Sequence, residues 1–303
     1  MEGQLDIRKE QIPELPSIVE PYGIPRLPEA AQKNHVAPNT FLQSAMFGMV
    51  QRGHRKYLEK RKIFSFRNVT IYFTGGALDQ GDLDVILHAM HLAAQQSASK
   101  QTMGLVEFSV RGFLKALNKQ PGKSGQDWLF NSIRRLCACL VEVRYGENVR
   151  QPVLSKMGIY GGPLIYDFYH DSVKNIFFLR VNGDLGSLLD LGWTSMEWRK
   201  RLCLKSSLAK WLHGLYSSAD LYPLKTTTIC QMSRSTCKEL FKFRQQLKKA
   251  LNDLVEIGAI GSWIIDDEDK VHVFPQAQKN VGQQLGTCPL TRGVAGRKAW
   301  RSG

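Results

Sequence analysis

Asp84, His88 and His91 recur at helical spacing, a pattern that holds a divalent metal when a further strong ligand cluster lies nearby. No such cluster is visible around them, and they read instead as an exposed polar stripe opposite Leu83, Ile86 and Met90. Gly122-Lys123-Ser124 has the ending of a phosphate-binding loop, but Leu117 stands where the first glycine is required and no strand directly precedes it. Asp266, Asp267, Glu268 and Asp269 are neighbours on one turn and cannot converge on a cation. No histidine pair accompanies a tyrosine, which argues against strand nicking. The chain is therefore read as non-enzymatic, without metal or cofactor. A metal-dependent nucleic-acid enzyme built on Asp84, His88 and His91 is the alternative from another class.

The remaining chemistry is that of cations. Lys238, Lys242, Gln245 and Lys249 follow helical spacing over an expected helix at 236–257. They lie opposite Leu240, Phe243, Leu247, Ala250, Leu251 and Leu254. Thr236 and Glu239 are spaced as a capping box, placing the helix start beside Arg234 and Ser235. Lysine neutralises phosphate or donates to guanine, glutamine pairs with adenine, and backbone N–H groups of a first helical turn bind phosphate. A second face is weaker: Lys123, Ser124 and Gln126 near the start of a helix at 124–140, then Asn131, Arg134 and Arg135. There Leu129, Ile133, Leu136 and Leu140 form the expected buried stripe.

Charge supports the same class of partner. The chain of 303 residues carries 41 Lys and Arg against 27 Asp and Glu, a net charge of +14, and each phosphate neutralised releases a condensed counterion. Residues 52–67 add a basic stretch, whose bland reading is a solvated helix face. The six cysteines form no Cys-x-x-Cys pair, and they read as free thiols in a reducing compartment. No run of about 18 apolar residues is long enough to span a membrane, and residues 1–20 lack the apolar centre of a signal peptide. A cytoplasmic location, with no membrane partner, is expected.

Positioning elements follow from periodicity. Strands are expected at 69–73, 105–110, 141–145, 157–160, 164–169 and 176–181. Helices are expected at 82–96, around Phe113, Leu114 and Leu117, and at 124–140, 206–216, 226–232 and 236–257, with a hairpin at 259–265 and 271–274; residues 184–191 are read as the beginning of the second half. Ile133-Arg134-Arg135, then Leu140-Val141-Glu142-Val143, repeat at equal spacing as Leu247-Lys248-Lys249, then Leu254-Val255-Glu256-Ile257. Each half reads as short helix, turn, long helix and β-hairpin. The expected class is α+β, with two tandem winged-helix domains: an extended arm at 1–38, domains at 39–182 and 183–275, and a disordered basic tail at 276–303.

Thr70-Ile71-Tyr72-Phe73-Thr74-Gly75, with Pro38-Asn39 and Ser44-Ala45-Met46-Phe47 upstream, resembles the opening of the TrfA-type plasmid replication initiators. Ser217-Ser218, Tyr222-Pro223-Leu224-Lys225, Ser235-Thr236, Lys242-Phe243-Arg244 and Gly258-Ala259-Ile260 extend the resemblance, which covers residues 38–274. It implies sequence-specific binding of double-stranded DNA at origin iterons, opening of an adjacent AT-rich region, and loading of the host replicative helicase beside DnaA. It further implies interconversion between a homodimer and a DNA-binding monomer, and self-repression as plasmid copy control. Carried over by position, DNA contacts fall on Arg234, Ser235, Lys238, Lys242, Arg244 and Gln245. The family's sliding-clamp segment is matched only by Gln4-Leu5-Asp6-Ile7, which argues against clamp binding. A winged-helix transcriptional repressor, lacking initiator activity, is the nearest rival.

Overall fold

The computed structural model describes residues 27–50, 53, 55–65, 69–100, 105–145, 158–219, 222–237 and 239–276. After a 3-10 turn at Glu29–Gln32 come β1 (His35–Pro38), α1 (Asn39–Leu42), β2 (Phe47–Gly48), β3 (Tyr57–Ile63), β4 (Val69–Gly76) and β5 (Leu78–Asp79). Then follow α2 (Gln80–Lys100), β6 (Leu105–Ser109), α3 (Val110–Ala116), α4 (Lys123–Cys137), β7 (Leu140–Tyr145), β8 (Gly158–Gly162), β9 (Ile165–Asp171) and β10 (Ile176–Val181). The chain continues through α5 (Leu185–Asp190), β11 (Trp193–Met196), α6 (Trp198–Cys203), α7 (Ser207–Ser218), β12 (Leu224–Lys225), α8 (Thr226–Met232), α9 (Leu240–Glu256), β13 (Ser262–Ile265) and β14 (Lys270–Phe274). The protein is mixed α+β.

Two clusters of buried apolar side chains organise these elements. The first runs in sequence from Ala31 to Met196, the second from Leu204 to Val273. In the first, α2 is buried on nearly every side, with Leu83, Val85, Ile86, Leu87, Ala89 and Met90 all inside. A helix apolar all round is a core helix. Helix α4 and strands β1, β2, β5, β6 and β10 of the first unit pack against it.

Both units use one topology. In the first, α2, β6, α3, α4, β9 and β10 follow in order, with a sheet ordered β6-β10-β9. In the second, α7, β12, α8, α9, β13 and β14 follow in order, with a sheet ordered β12-β14-β13. The first unit adds a four-stranded sheet, β3-β4-β7-β8, in which β7 runs antiparallel to β4.

Several sequence expectations need correction. Residues 27–38 are not an extended arm: β1 pairs antiparallel with β11, His35 opposite Met196, which draws 193–196 into the first cluster. Leu185, Leu188 and Leu189, assigned to the second half from sequence, are buried in the first cluster. The basic stretch forms strand β3 on the edge of a sheet rather than a helix face. The repeated letters at 133–143 and 247–257 adopt different states, since Leu254 is buried in α9 whereas Leu140 opens β7 and is 43% exposed. Residues 1–26 and 277–303 lie outside the described residues, and with them Cys288, Gln4-Leu5-Asp6-Ile7 and nearly all of the expected basic tail.

Candidate nucleic-acid interface

Helix α9 is placed by its apolar face. Phe243, Leu247, Ala250, Leu251 and Leu254 are buried against α7 and α8 and under the β13–β14 hairpin. Lys242, Gln245, Gln246, Lys248 and Lys249 are exposed on the other side. From Leu240 to Asn252 the helix carries four cationic side chains and no carboxylate, so its outward face presents positive charge and amide donors to a polyanion.

The helix begins three residues later than the capping-box spacing predicts. Glu239 is the N-cap, without a side-chain cap bond, and Thr236 lies in the preceding turn. The reason is Arg234, held at a positive φ of 52°. Its N–H bonds to the Gln231 carbonyl at 3.1 Å, and the Ser235 N–H bonds to the Cys230 carbonyl at 3.1 Å. This left-handed closure ends α8 and delays α9.

The predicted contact residues divide into two groups. Gln245 and Lys249 are exposed, and Lys242 is exposed while pairing with Glu239 at 2.8 Å. Such a surface pair, one turn apart, is readily exchanged for a phosphate. Arg234 is instead spent internally: its Nη1 donates to the Ala45 and Met46 carbonyls at 3.1 and 3.4 Å. Burial, and then the nearby Arg55, hold its guanidinium below the ordinary arginine value. Arg244 donates through Nε and Nη2 to both oxygens of Asp269, each at 2.9 Å. Arg244 thereby ties α9 to the hairpin turn, with Asp269 itself at a positive φ of 62°. The Ser235 hydroxyl accepts from the Cys237 N–H at 3.2 Å. Lys238 lies outside the described residues.

On α4, Lys123, Ser124, Asn131 and Arg134 are exposed, and Gln126 donates to the Pro121 carbonyl at 3.2 Å. Arg135 turns inward and bonds Asp82 through Nη2 at 2.6 Å. Asp82 also accepts from Ser132 at 2.6 Å and from Arg55 at 3.0 Å. Arg135 therefore fastens α4 to α2.

The Asp84, His88 and His91 set is buried rather than an exposed stripe, because α2 is enclosed by both units. Its donor atoms are engaged separately. His88 shares a 2.9 Å hydrogen bond with His35, and His91 bonds the Ala31 carbonyl at 2.8 Å. Asp84 accepts from Arg201 Nε at 2.7 Å and also from Lys210. Among the described residues no cluster of three or more His, Cys, Asp or Glu is arranged to hold a metal, and no helix there is long and apolar enough to cross a membrane.

Sequence reading missed the network around Asp84, which joins the two units. Arg201 is fully buried, and its guanidinium reaches Asp84, Gln80 Oε1 at 2.9 Å and the Lys210 carbonyl at 3.0 Å. Gln80 donates onward to the Phe47 carbonyl at 2.5 Å, and Trp211 donates to the Ser44 carbonyl at 3.2 Å. Together with the Arg234 bonds, this fixes α7 and the turn before α9 against the first unit. The signal available in sequence was a pair of aspartates, Asp82 and Asp84, at the start of a largely apolar helix.

Comparison with solved structures places this architecture. The crystal structure of a selenomethionine derivative of domains 2 and 3 of RctB matches with a TM-score of 0.53 at 12% identity, covering 80% of this chain and 99% of that one. A second structure of RctB domains 2–3 matches at 0.46 and 12% identity, covering 75% and 93%. The Pi initiator protein in complex with iteron DNA matches at 0.42 and 11% identity, covering 65% and 94%. The first of these shows a shared fold. Neither protein-family models nor curated protein sequences gave a match.

Proposed function

We propose that both units are winged helices and that the protein is a sequence-specific binder of double-stranded DNA, a replication initiator that engages iteron repeats at an origin. The observation that carries this reading is the outward face of α9 from Leu240 to Asn252, cationic and without a carboxylate, beside the β13–β14 hairpin and repeated in topology by α4 with β9–β10. In a winged helix the third helix enters the major groove while the hairpin lies along the backbone. Gln245, Lys249 and Lys242 supply contacts from α9, and Lys123, Ser124, Asn131 and Arg134 supply them from α4. The exposed cations of β3, among them Lys60, Arg61 and Lys62, hold phosphates.

Resemblance to the TrfA-type initiators refines the proposal to a plasmid origin in a bacterial cytoplasm, with helicase and DnaA as partners and a homodimer as the storage form. The protein acts by binding and by straining the neighbouring duplex, without covalent chemistry. A binding titration near 150 mM salt tests this, comparing direct repeats from the adjoining origin with scrambled duplexes. A preference of about a thousandfold or more supports the reading. Equal affinity for both sinks it, and specific binding by a protein dispensable for replication would identify a repressor instead.

A further inference from the structure

The outward face of α9 holds one large side chain that cannot make a polar contact. Phe241 is the second residue of the helix and is 66% exposed, whereas Phe243, two positions on, is fully buried in the second cluster. Helical geometry sets Phe241 in one stripe with Gln245, Lys248 and Asn252, with Lys242 one step further round the helix. Every one of these neighbours is exposed. A phenyl ring left in water forgoes the stabilisation that burial gives its partner Phe243, and its cationic surroundings point it toward a polyanion.

The ring offers nothing to a phosphate, since it neither donates a conventional hydrogen bond nor carries charge. In the major groove, the matching apolar group is the C5 methyl of thymine. Reading helices deliver their N-terminal residues to base edges, and Phe241 sits in the first turn, ahead of the glutamine suited to adenine. We infer that Phe241 contacts a thymine methyl and selects thymine at one position of the site. This inference rests on the reading of α9 as a DNA-recognition helix.

The test uses the full chain to enrich a binding site from a random duplex library, then replaces each thymine of that site in turn by uracil. Uracil pairs identically and lacks only the methyl. The unaltered protein should lose about fourfold in affinity at one thymine, the worth of one methyl-sized group. Phe241→Ala should bind thymine and uracil forms of that position alike, and should melt with the parent because the ring is exposed. Phe241→Leu should retain part of the discrimination. Uracil without effect at every position, or an unchanged thymine preference in Phe241→Ala, overturns the assignment while leaving α9 as the reading helix. Failure to enrich any sequence overturns the DNA-reading role of α9 and, with it, the assignment of Phe241.

Discussion

The two units share an element order and a sheet order, yet they dispose their long helices differently. Helix α9 ends at Glu256, and Gly258 just beyond its cap, with a φ of 64°, turns the chain toward the β13–β14 hairpin. Helix α4 instead hands the chain to β7 and β8, which complete a sheet with β3 and β4 before β9 and β10 form the hairpin of that unit. The use of charge differs as well. One of the two arginines in the last turn of α4, Arg135, is consumed by Asp82, while the Lys248–Lys249 pair of α9 stays exposed. Each helix thus spends one arginine as a brace, Arg135 on α4 and Arg244 on α9, and α9 keeps a second basic pair facing outward.

The largest expected effect concerns what joins the units. Asp84→Ala removes the carboxylate facing the fully buried Arg201, and stranding a buried charge costs about 3–5 kcal/mol. The urea midpoint should fall accordingly, with two transitions replacing one. A single transition at the parental midpoint would show that neither unit leans on the other.

Next come the faces proposed to read DNA. Gln245→Ala should cost about 1–3 kcal/mol at one base position and relax the preference there. Lys249→Ala should lower affinity on all sequences and reduce the salt slope by about one. Arg134→Ala on α4 should change both less; a larger loss there would invert the ranking of the two helices.

Acid should act on both units through buried neutral histidines. Burial lowers His35 to about 2, with His91 and His88 adding to it, and lowers His88 to about 4, with His91 adding. In the second unit burial likewise lowers His213 to about 4, with Arg201 the next cause. The unfolded chain takes up these protons near the ordinary 6.5 while the folded protein refuses them, so stability is complete above that value and is lost as pH falls toward 4. Melting temperatures measured from pH 7.5 down to 4.5 should be level at first and then decline. A level profile throughout would contradict burial of these rings.

The smallest effect belongs to the hairpin. Arg244 bonds Asp269 and holds its carboxyl below the ordinary value, so the contribution is present at neutral pH and lost as acid carries the solution through that lowered pKa. Asp269→Asn should lower the melting temperature slightly. Unaltered DNA affinity in that variant would show that the hairpin needs no fixed angle to α9.

Elements with their own periodicity were legible in the sequence. The β4 strand, the α2 core helix and α8 follow from alternation or helical spacing, and the apolar face of α9 falls where its leucines put it. Long-range choices were not legible. Nothing local distinguishes Trp193–Met196 as the partner of a strand some 160 residues earlier, and nothing marks Leu140 as strand while Leu254, in the same run of letters, stays helical. Polar residues on α2 misled because water is the default partner of a histidine or an aspartate; only the packed neighbours reveal His35, Arg201 and Lys210. Of the candidate site, Gln245, Lys249 and Lys242 were placed correctly on an outward face. Arg234, Arg244 and Arg135 bond within the protein, which was not legible because an arginine bound to protein and one offered to a ligand look the same in sequence.

If α4 and α9 read DNA as proposed, the Asp84–Arg201 joint also governs how the two helices act together. A tethered second module searches a volume, and its effective concentration at its own half-site depends on the tether. Here the second helix is held as part of one body, so avidity becomes a matter of phase along the duplex. Separating the two halves of a binding site by about five base pairs, half of the helical repeat, would turn the second groove away and leave only the affinity of a single helix. A further five would return the groove to the correct side at a distance the rigid joint does not reach.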